Sequence, residues 1–195
     1  MSPKKKFSED EVVEAAFEIA KKEGIENITI RKVADQLGSS IAPIYVNFVD
    51  VDDLKRAVVK KIVQLSEDMI HEQHSENSFR DIGIASLKFA EEYPVLFKEF
   101  AMKPNDYMQE YDQEMGDYLI THMKSTPELQ VFSDEELKMI LFKMRAFQLG
   151  LTMMVANRSV PEEFDLEQMI AFSDDVAEDV VSAAHLRKQK SKHEN

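Results

Sequence analysis

Residues 29–48, TIRKVADQLGSSIAPIYVNF, contain two short helical patterns separated by one glycine, and this arrangement constrains the fold more than any other feature. Thr29 is a good N-cap for a first helix, whose apolar stripe consists of Ile30, Val33, Ala34 and Leu37. Gly38 predicts the end of that helix, because the C′ position often needs a left-handed backbone that glycine reaches at little steric cost. The stretch is therefore predicted to form a helix-turn-helix, which places its second helix in the major groove of DNA.

The first sixty residues resemble the amino-terminal domain of the tetracycline-repressor (TetR/AcrR) family of bacterial regulators. In that family a first helix ends near a glycine, and Thr, an apolar residue and Arg precede an Ala, an apolar–Tyr pair and a Phe. The matching residues here are Gly24, Thr29, Ile30, Arg31, Ala34, Ile44, Tyr45 and Phe48. The rest of the chain agrees with the family only in length and helical character. The resemblance implies a DNA-binding head and a helical domain that binds an effector and forms a homodimer.

The composition predicts an all-α fold. Only five glycines and six prolines occur in 195 residues, and alternating β-branched patterns are nearly absent. Caps and apolar stripes indicate about nine helices, with capping boxes at Ser8–Glu11 and Ser133–Glu136. We assign a helix-turn-helix domain to residues 1–51 and a helical sensing and dimerisation domain to residues 52–195. A long helix over about 52–73 is expected to link the two domains.

Composition also excludes several classes of protein. The chain has no cysteine, and so no disulfide, thiolate nucleophile or cysteine-based metal site. Residues 1–60 hold ten basic and eleven acidic residues, whereas 61–195 hold fourteen and twenty-six, so the net charge of −13 lies mainly outside the helix-turn-helix. The acidic Ser8–Glu11 is unlike a signal peptide, and no stretch approaches the roughly twenty apolar residues of a membrane span. We expect a cytoplasmic protein without a membrane partner.

The predicted contacts with double-stranded operator DNA are of two kinds. Thr29, Arg31 and Tyr45 are predicted to contact phosphates, helped by the basic arm of Lys4, Lys5 and Lys6 and more weakly by Lys32, Lys55 and Arg56. The residues placed to meet base edges offer no bidentate contact with guanine, and they are Ser39, Ser40, Ile41, Ala42 and Asn47. Sequence discrimination is therefore expected to depend on phosphate positioning and DNA shape.

Two residues in or beside this segment depart from the family pattern. If Ser40 is the N-cap, Pro43 takes the third helical position, where its missing N–H removes no intrahelical hydrogen bond. Val51 stands where relatives commonly carry Lys at the start of the linking helix, so one customary phosphate contact is missing. We expect a lower DNA affinity, or a larger contribution from the Lys4–Lys6 arm.

Most of the eleven methionines and twelve phenylalanines fall within residues 75–185. Such stripes often form ordinary core, but together they fit a pocket for a lipophilic or aromatic small-molecule effector, as the resemblance implies. The predicted lining residues are Phe97, Phe100, Met102, Tyr107, Met108, Tyr111, Met115, Tyr118, Phe142 and Phe147.

The helix after Ser133 has two apolar stripes, so it must be buried on two sides. Together with a last helix over about 165–185, it is predicted to form an isologous four-helix bundle with a second copy. The alternative is that both stripes are internal core. The residues assigned to the dimer interface are Ile140, Met144, Leu151, Met154, Met169, Val176 and Val180. Residues 186–195 are expected to be a frayed polar tail.

Two other function classes remain as alternatives. His71 and His74, near Glu67, Asp68 and Glu72, form the one metal-like cluster, but they lack the spacing of a zinc hydrolase and lie at a helix end. An enzyme is therefore disfavoured, and no cofactor is expected. The second alternative is an interaction protein that kept the fold but lost DNA binding, and Val51 and the acidic balance support it.

Overall fold

The computed structural model describes residues 7–102 and 106–193, without the side chains of residues 102, 106, 108–114 and 191–193. All the regular structure in these ranges is helical, which confirms the all-α class, with eight α-helices there rather than about nine. The α-helices are α1 (Glu9–Glu23), α2 (Ile30–Gln36), α3 (Val51–His71), α4 (Ser78–Glu92), α5 (Pro94–Met102), α6 (Asp106–Met123), α7 (Asp134–Ala156) and α8 (Leu166–His193). Short 3-10 helices span Ile25–Asn27 and Pro127–Leu129.

The two predicted capping boxes are both present. The Ser8 hydroxyl accepts a hydrogen bond from the Glu11 N–H at 3.2 Å, and the Glu11 carboxylate accepts one from the Ser8 N–H at 2.7 Å. Ser133 and Glu136 form the same pair of bonds, at 3.3 and 2.8 Å. Each box satisfies two backbone donors that a helix start leaves without intrahelical partners. The starts of α1 and α7 are thus determined locally.

The turn after α2 is a Schellman motif centred on Gly38. Gly38 has a φ of +60°, and its N–H donates to the carbonyl of Asp35 at 3.1 Å. The N–H of Ser39 donates to the carbonyl of Ala34 at 2.9 Å. These two bonds are the ones that close a helix through a left-handed residue, where glycine is favoured. The end of α2 predicted from Gly38 is confirmed.

The second helix of the predicted helix-turn-helix is not a regular α-helix. Instead, successive turns follow Ile41, whose carbonyl accepts from the Ile44 N–H at 3.1 Å, and the Ile44 carbonyl accepts from the Phe48 N–H at 3.0 Å. Ser40 is not an N-cap, because no regular helix begins after it before α3, and its carbonyl accepts a hydrogen bond from the Ser39 hydroxyl at 2.9 Å. Pro43 accounts for the irregularity, since proline disfavours the α conformation at the preceding residue. We call residues 39–49 the reading segment.

The chain divides into two compact units. Unit 1 consists of Met1–Leu65 and Tyr93–Tyr111, and unit 2 of Ser66–Glu92 and Asp112–Asn195. This division differs from the predicted boundary between residues 51 and 52. The reason is that α5 packs against α1, so a segment distant in sequence joins the head.

A buried carboxylate attaches α5 to the head within unit 1. Glu99 Oε2 accepts a hydrogen bond from the Ile25 N–H at 2.7 Å, and its Oε1 accepts one from the Glu26 N–H at 3.4 Å. The approach depends on Gly24, because a Cβ there would lie 2.9 Å from Glu99 Oε2. Gly24 also has a φ of +91°, which favours glycine.

Unit 2 is built on α4, α7 and α8, which pack against one another. Its main core cluster consists of Phe79, Ile120, Met123, Leu129, Phe132, Leu137, Ile140 and Met144. By length and composition, α7 is the one described helix that passes as a membrane span, but a core helix passes the same test. The predicted polar tail is wrong, because α8 continues to His193 and Lys188 pairs with Glu136 on α7.

Substituting Glu99 tests its attachment to the head. Glu99→Ala leaves the buried Ile25 N–H without its acceptor, and we expect a loss of about 1–3 kcal/mol in the free energy of unfolding. The matched control Glu91→Ala, at an exposed glutamate, should change it by less than about 0.5 kcal/mol. Glu99→Gln keeps an acceptor oxygen, so its loss in the free energy of unfolding should lie between those of the two alanine variants. Urea unfolding followed by circular dichroism measures all three, and equal values for the two alanine variants would contradict the role of Glu99.

Candidate functional site

The exposed face of the reading segment is mainly apolar. Ile44 and Phe48 are buried in unit 1, and they orient the segment. The residues around them face solvent, with exposures of 48% for Ile41, 52% for Tyr45 and 44% for Val46. Val49 is 83% exposed, the highest value among the large apolar side chains described. The surface available to a ligand here is therefore apolar with one phenol.

The residues predicted to lie at the DNA bases differ in their exposure to solvent. Ser40 and Ala42 are exposed, whereas Pro43 is half-buried. Asn47 turns inward: its Nδ2 donates to the carbonyl of Phe7 at 3.2 Å and to that of Pro43 at 3.4 Å. Its Oδ1 is buried and has no partner among the residues described. The assignment of Asn47 to base edges is therefore corrected, because its amide is used to hold the segment to the chain before α1.

Of the predicted phosphate contacts, three can be placed. Arg31 and Tyr45 are exposed. Thr29 is exposed as well, and its hydroxyl caps α2 by accepting from the Lys32 N–H at 3.2 Å. The basic arm of Lys4, Lys5 and Lys6 lies outside the described residues. The start of α2 thus exposes the guanidinium of Arg31 and the hydroxyl of Thr29, and the reading segment exposes the hydroxyl of Tyr45.

Lys55 does not belong to the basic surface. It is buried, and its Nζ lies 2.8 Å from Glu26 Oε2 and 5.7 Å from the centre of the Tyr107 ring. The Tyr107 hydroxyl donates to Asp52 Oδ1 at 2.9 Å. Burial disfavours the ammonium, but the hydrogen bond with Glu26 and the nearby Tyr107 and Asp52 outweigh it, so the pKa of Lys55 is raised. Lys55 instead ties α3 to the head, and Lys32 is paired with Glu23 at 2.6 Å.

The predicted effector-binding residues are divided between the two units. Phe97, Phe100 and Tyr107 belong to unit 1, and Met115, Tyr118, Phe142 and Phe147 to unit 2. The side chains of Met102, Met108 and Tyr111 lie outside those described. Phe142 is 67% exposed, so its assignment to an internal pocket is corrected. Phe147 is half-buried and meets the Phe172 ring edge-on, with centroids 5.3 Å apart.

A cluster in unit 2 contains His71 and Tyr118, which the sequence analysis singled out, and His122, which it did not. The Tyr118 hydroxyl lies 3.0 Å from His71 Nε2, and the Tyr118 ring stacks on His122 with centroids 5.8 Å apart. His122 Nε2 is buried, with no partner among the described atoms. Burial and the neighbouring His71 lower the pKa of His122, against an opposing effect of Asp81. The spacing of four residues on α6 was the signal that could have placed Tyr118 and His122 on one face.

Unit 2 also contains a solvent-open cleft of about 630 Å³. Its walls come from the start of α4, the second 3-10 helix and α8, and an ion pair of 2.8 Å joins Arg80 to Asp174 at its edge. Its volume is in the range of small-molecule sites. Its lining includes Phe79, Leu129 and Val181 but also Glu128, Glu178 and His185, so it is more polar than the predicted pocket.

The apolar stripe of α7 that was assigned to the dimer interface lies mostly in the core, and the other apolar stripe is exposed. Ile140, Met144, Leu151 and Met169 are buried in the core of unit 2, and the half-buried Val176 and Val180 pack against that core. Within the predicted set Met154 is exposed, at 41%. The exposed apolar face consists instead of Met139, Phe142, Leu149 and Met154 on α7, with Phe172 and Leu186 on α8. We call these six residues the α7–α8 apolar face.

The histidines at the end of α3 are not part of a described metal site. Within residues 7–102 and 106–193, no three His, Asp or Glu side chains come together in a way that could hold an ion. His74 is exposed and has a φ of +50° in the loop after α3.

Comparison with known proteins identifies the fold. No protein-family model and no curated protein matches the chain. A TetR-like transcriptional regulator from Rhodococcus sp. RHA1 has a TM-score of 0.62 at 10% identity, over 87% of this chain and 92% of the other. SmeT, the repressor of the Stenotrophomonas maltophilia multidrug efflux pump SmeDEF, has a TM-score of 0.62 at 14% identity, over 89% and 90%.

A third structure contains a small molecule. It is described as a transcriptional regulator from Saccharomonospora viridis in complex with choline, and it has a TM-score of 0.60 at 18% identity, over 87% of this chain and 95% of the other. At these identities the similarity establishes the fold. The chain has the fold of TetR-like transcriptional regulators, as the resemblance of its first sixty residues predicted.

The pH dependence of stability tests the position of His122. Because the pKa of His122 is lowered in the folded protein, the unfolded chain takes up its proton first as the pH falls below the ordinary value of 6.5. The free energy of unfolding should therefore decrease from about pH 6.5 towards the folded-state pKa. His122→Asn should remove this part of the decrease, and the exposed control His74→Asn should retain it. Urea unfolding at several pH values measures the slopes, and an unchanged slope in His122→Asn would contradict the assignment.

Proposed function

We propose that the chain is a bacterial, cytoplasmic transcriptional regulator that binds operator DNA as a homodimer and acts as a repressor released by a small-molecule effector. The observation that carries the proposal is the combination of the TetR-like fold with an exposed segment directly after the Gly38 turn. In helix-turn-helix proteins this position enters the major groove. The description of SmeT as a repressor supports the repressor role.

Phosphate binding is proposed for the face at the start of α2. The exposed guanidinium of Arg31 and the hydroxyls of Thr29 and Tyr45 are groups that bind phosphate oxygens. The basic arm before α1 adds three lysines to them. Because Lys55 is buried and Val51 carries no charge, this head offers fewer basic contacts than the family pattern implies. We therefore expect an affinity that decreases as salt rises, but less steeply than a head with the full set of basic contacts would show.

The α7–α8 apolar face is proposed as the homodimer interface. Six large apolar side chains are exposed there, on two helices that pack side by side. Exposed apolar surface of this extent is typical of interaction sites on proteins. A face shared by two identical copies gives an isologous interface, and two helices from each copy form a four-helix bundle. Two reading segments would then lie on one assembly, as a palindromic operator requires.

The effector is proposed to bind in unit 2, and the choline complex of a protein with this fold supports a small molecule there. Its proposed effect is a population shift towards a conformation in which α3 has moved. Because α3 and α6 each contribute residues to both units, a change in unit 2 reaches unit 1 through continuous helices. A changed distance between the two reading segments would end their match to successive major grooves.

A gel-shift titration tests DNA binding directly. The probe is a duplex covering the region upstream of the chain's own gene, with a duplex of scrambled sequence as control. Retention of the first probe over the second, weakening as salt rises, is the expected result. Absence of retention at low salt would overturn the proposal and favour the interaction protein that kept the fold without DNA binding.

The role of Arg31 can be separated from general loss of charge. Arg31→Ala removes one phosphate contact from each protomer and so two from the proposed homodimer. Affinity should decrease for all duplexes, and the slope of log K against log salt should fall in magnitude by about 1.8. Lys138→Ala removes one positive charge from an exposed position on α7 and should leave the slope unchanged. Fluorescence anisotropy over a salt series provides the slopes. Equal slopes for Arg31→Ala and the wild type would remove Arg31 from the DNA surface.

The oligomeric state tests the α7–α8 apolar face. Phe142→Glu places a charge at its most exposed residue, and we expect a monomer by sedimentation and weaker operator binding, since burying an unpaired charge is costly. The control Val131→Glu changes an equally apolar side chain, 53% exposed, that lies outside the face. It should remain a dimer. A dimeric Phe142→Glu would show that the copies associate elsewhere.

A further inference from the structure

The polar groups that normally identify bases are scarce on the reading segment. Direct recognition of guanine and adenine depends on bidentate partners, chiefly Arg and Lys for guanine and Asn and Gln for adenine. Asn47 is the only side chain of these types among residues 39–49, and its Nδ2 donates to the carbonyls of Phe7 and Pro43. The Ser39 hydroxyl donates to the carbonyl of Ser40. Because the Tyr45 hydroxyl is proposed to bind phosphate, base-edge hydrogen bonding from the side chains of this segment depends mainly on the exposed Ser40 hydroxyl.

Apolar groups occupy the exposed positions instead. Ile44 is 0% and Phe48 4% exposed, so the side chains anchoring the segment to the core are fixed. Ile41, Val46 and Val49 consequently project away from that core. Isolated apolar residues on a surface are ordinary, but here three of the nine residues 41–49 expose a large aliphatic side chain to water. A surface of this kind gains free energy when it covers apolar groups of a ligand.

Duplex DNA has one apolar group on its major-groove base edges, the C5 methyl of thymine. A branched aliphatic side chain that covers such a methyl removes it from water, which is worth about a fourfold gain in affinity per methyl. No other base presents an apolar group in that groove. The chemistry of the exposed patch therefore matches one base in preference to the other three.

We propose that the reading segment recognises its operator through thymine methyl groups, which Ile41, Val46 and Val49 contact in the major groove. This inference rests on the proposed function and adds the chemistry of its specificity. It assigns sequence recognition to apolar contact rather than to DNA shape alone. The preferred half-site then contains A·T pairs at the positions that these three side chains meet.

Deoxyuridine tests the proposal, because it lacks the C5 methyl of thymine and keeps its hydrogen-bonding groups. The probe is a duplex selected by the full chain from a random-sequence pool, remade with deoxyuridine at one thymine at a time. Affinity should decrease about fourfold at each contacted thymine and remain unchanged at the other thymines. Equal affinity of every deoxyuridine duplex and the parent duplex would overturn methyl recognition.

Variants identify the side chains responsible. Ile41→Ser and Val49→Ser should each bind the parent duplex more weakly and lose the sensitivity to deoxyuridine at one position of each half-site, which a double-mutant cycle measures. The control Phe164→Ser changes an apolar side chain of unit 2 that is 44% exposed, and it should keep the full sensitivity. A variant that loses affinity but retains every deoxyuridine effect would exclude that side chain as a methyl contact.

The outcomes distinguish this inference from the proposed function. Sequence-specific binding with no deoxyuridine effect leaves the regulator intact and overturns methyl recognition. Selection of a half-site made only of G·C pairs would likewise overturn methyl recognition and leave the proposed regulator intact. Failure of the purified full chain to bind any duplex, even at low salt, overturns both.

Discussion

A buried carboxylate on α5 holds the backbone at the junction between α1 and α2, the helix that leads into the reading segment. Glu99 receives the N–H groups of Ile25 and Glu26, and Gly24 leaves room for it. Lys55 adds a second tie, from α3 to Glu26. Because the free donors of a short helix are costly to bury, this anchor favours one orientation of α2 relative to α5. Within unit 1, α5 thus packs against residues that lie more than sixty positions earlier in the chain.

The character of the proposed DNA-binding surface follows from a few local departures from the family pattern. Pro43 makes the reading segment irregular, and Asn47 is used internally rather than displayed. Apolar side chains remain exposed, next to an α2 start that carries Arg31. Phosphate contacts position a protein on DNA, whereas groove contacts specify the sequence. In this account affinity comes from Arg31, the hydroxyls beside it and the basic arm, and specificity comes from apolar contact.

Patterns among neighbouring residues predicted the local structure well. Contacts between residues distant in the sequence were not predicted. The capping boxes of α1 and α7, the N-cap Thr29 and the Gly38 turn each depend on residues within a few positions. The irregular reading segment differs from the predicted helix because Pro43 disfavours the α conformation at Ala42, and the apolar pattern of the segment does not contain this effect. Both stripes of α7 are apolar, so periodicity alone does not reveal which one faces the core. The predicted effector residues are divided between the two units for a related reason, since α5 with its aromatic residues belongs to unit 1, where Glu99 contacts residues more than seventy positions away.

The proposed homodimer has to present its two reading segments to one face of DNA. Hydroxyl-radical footprinting of the full chain on its selected duplex tests this arrangement. We expect two protected stretches related by a dyad, with centres about 10 base pairs apart or a multiple of that distance. A single protected stretch, or protection without dyad symmetry, would contradict it.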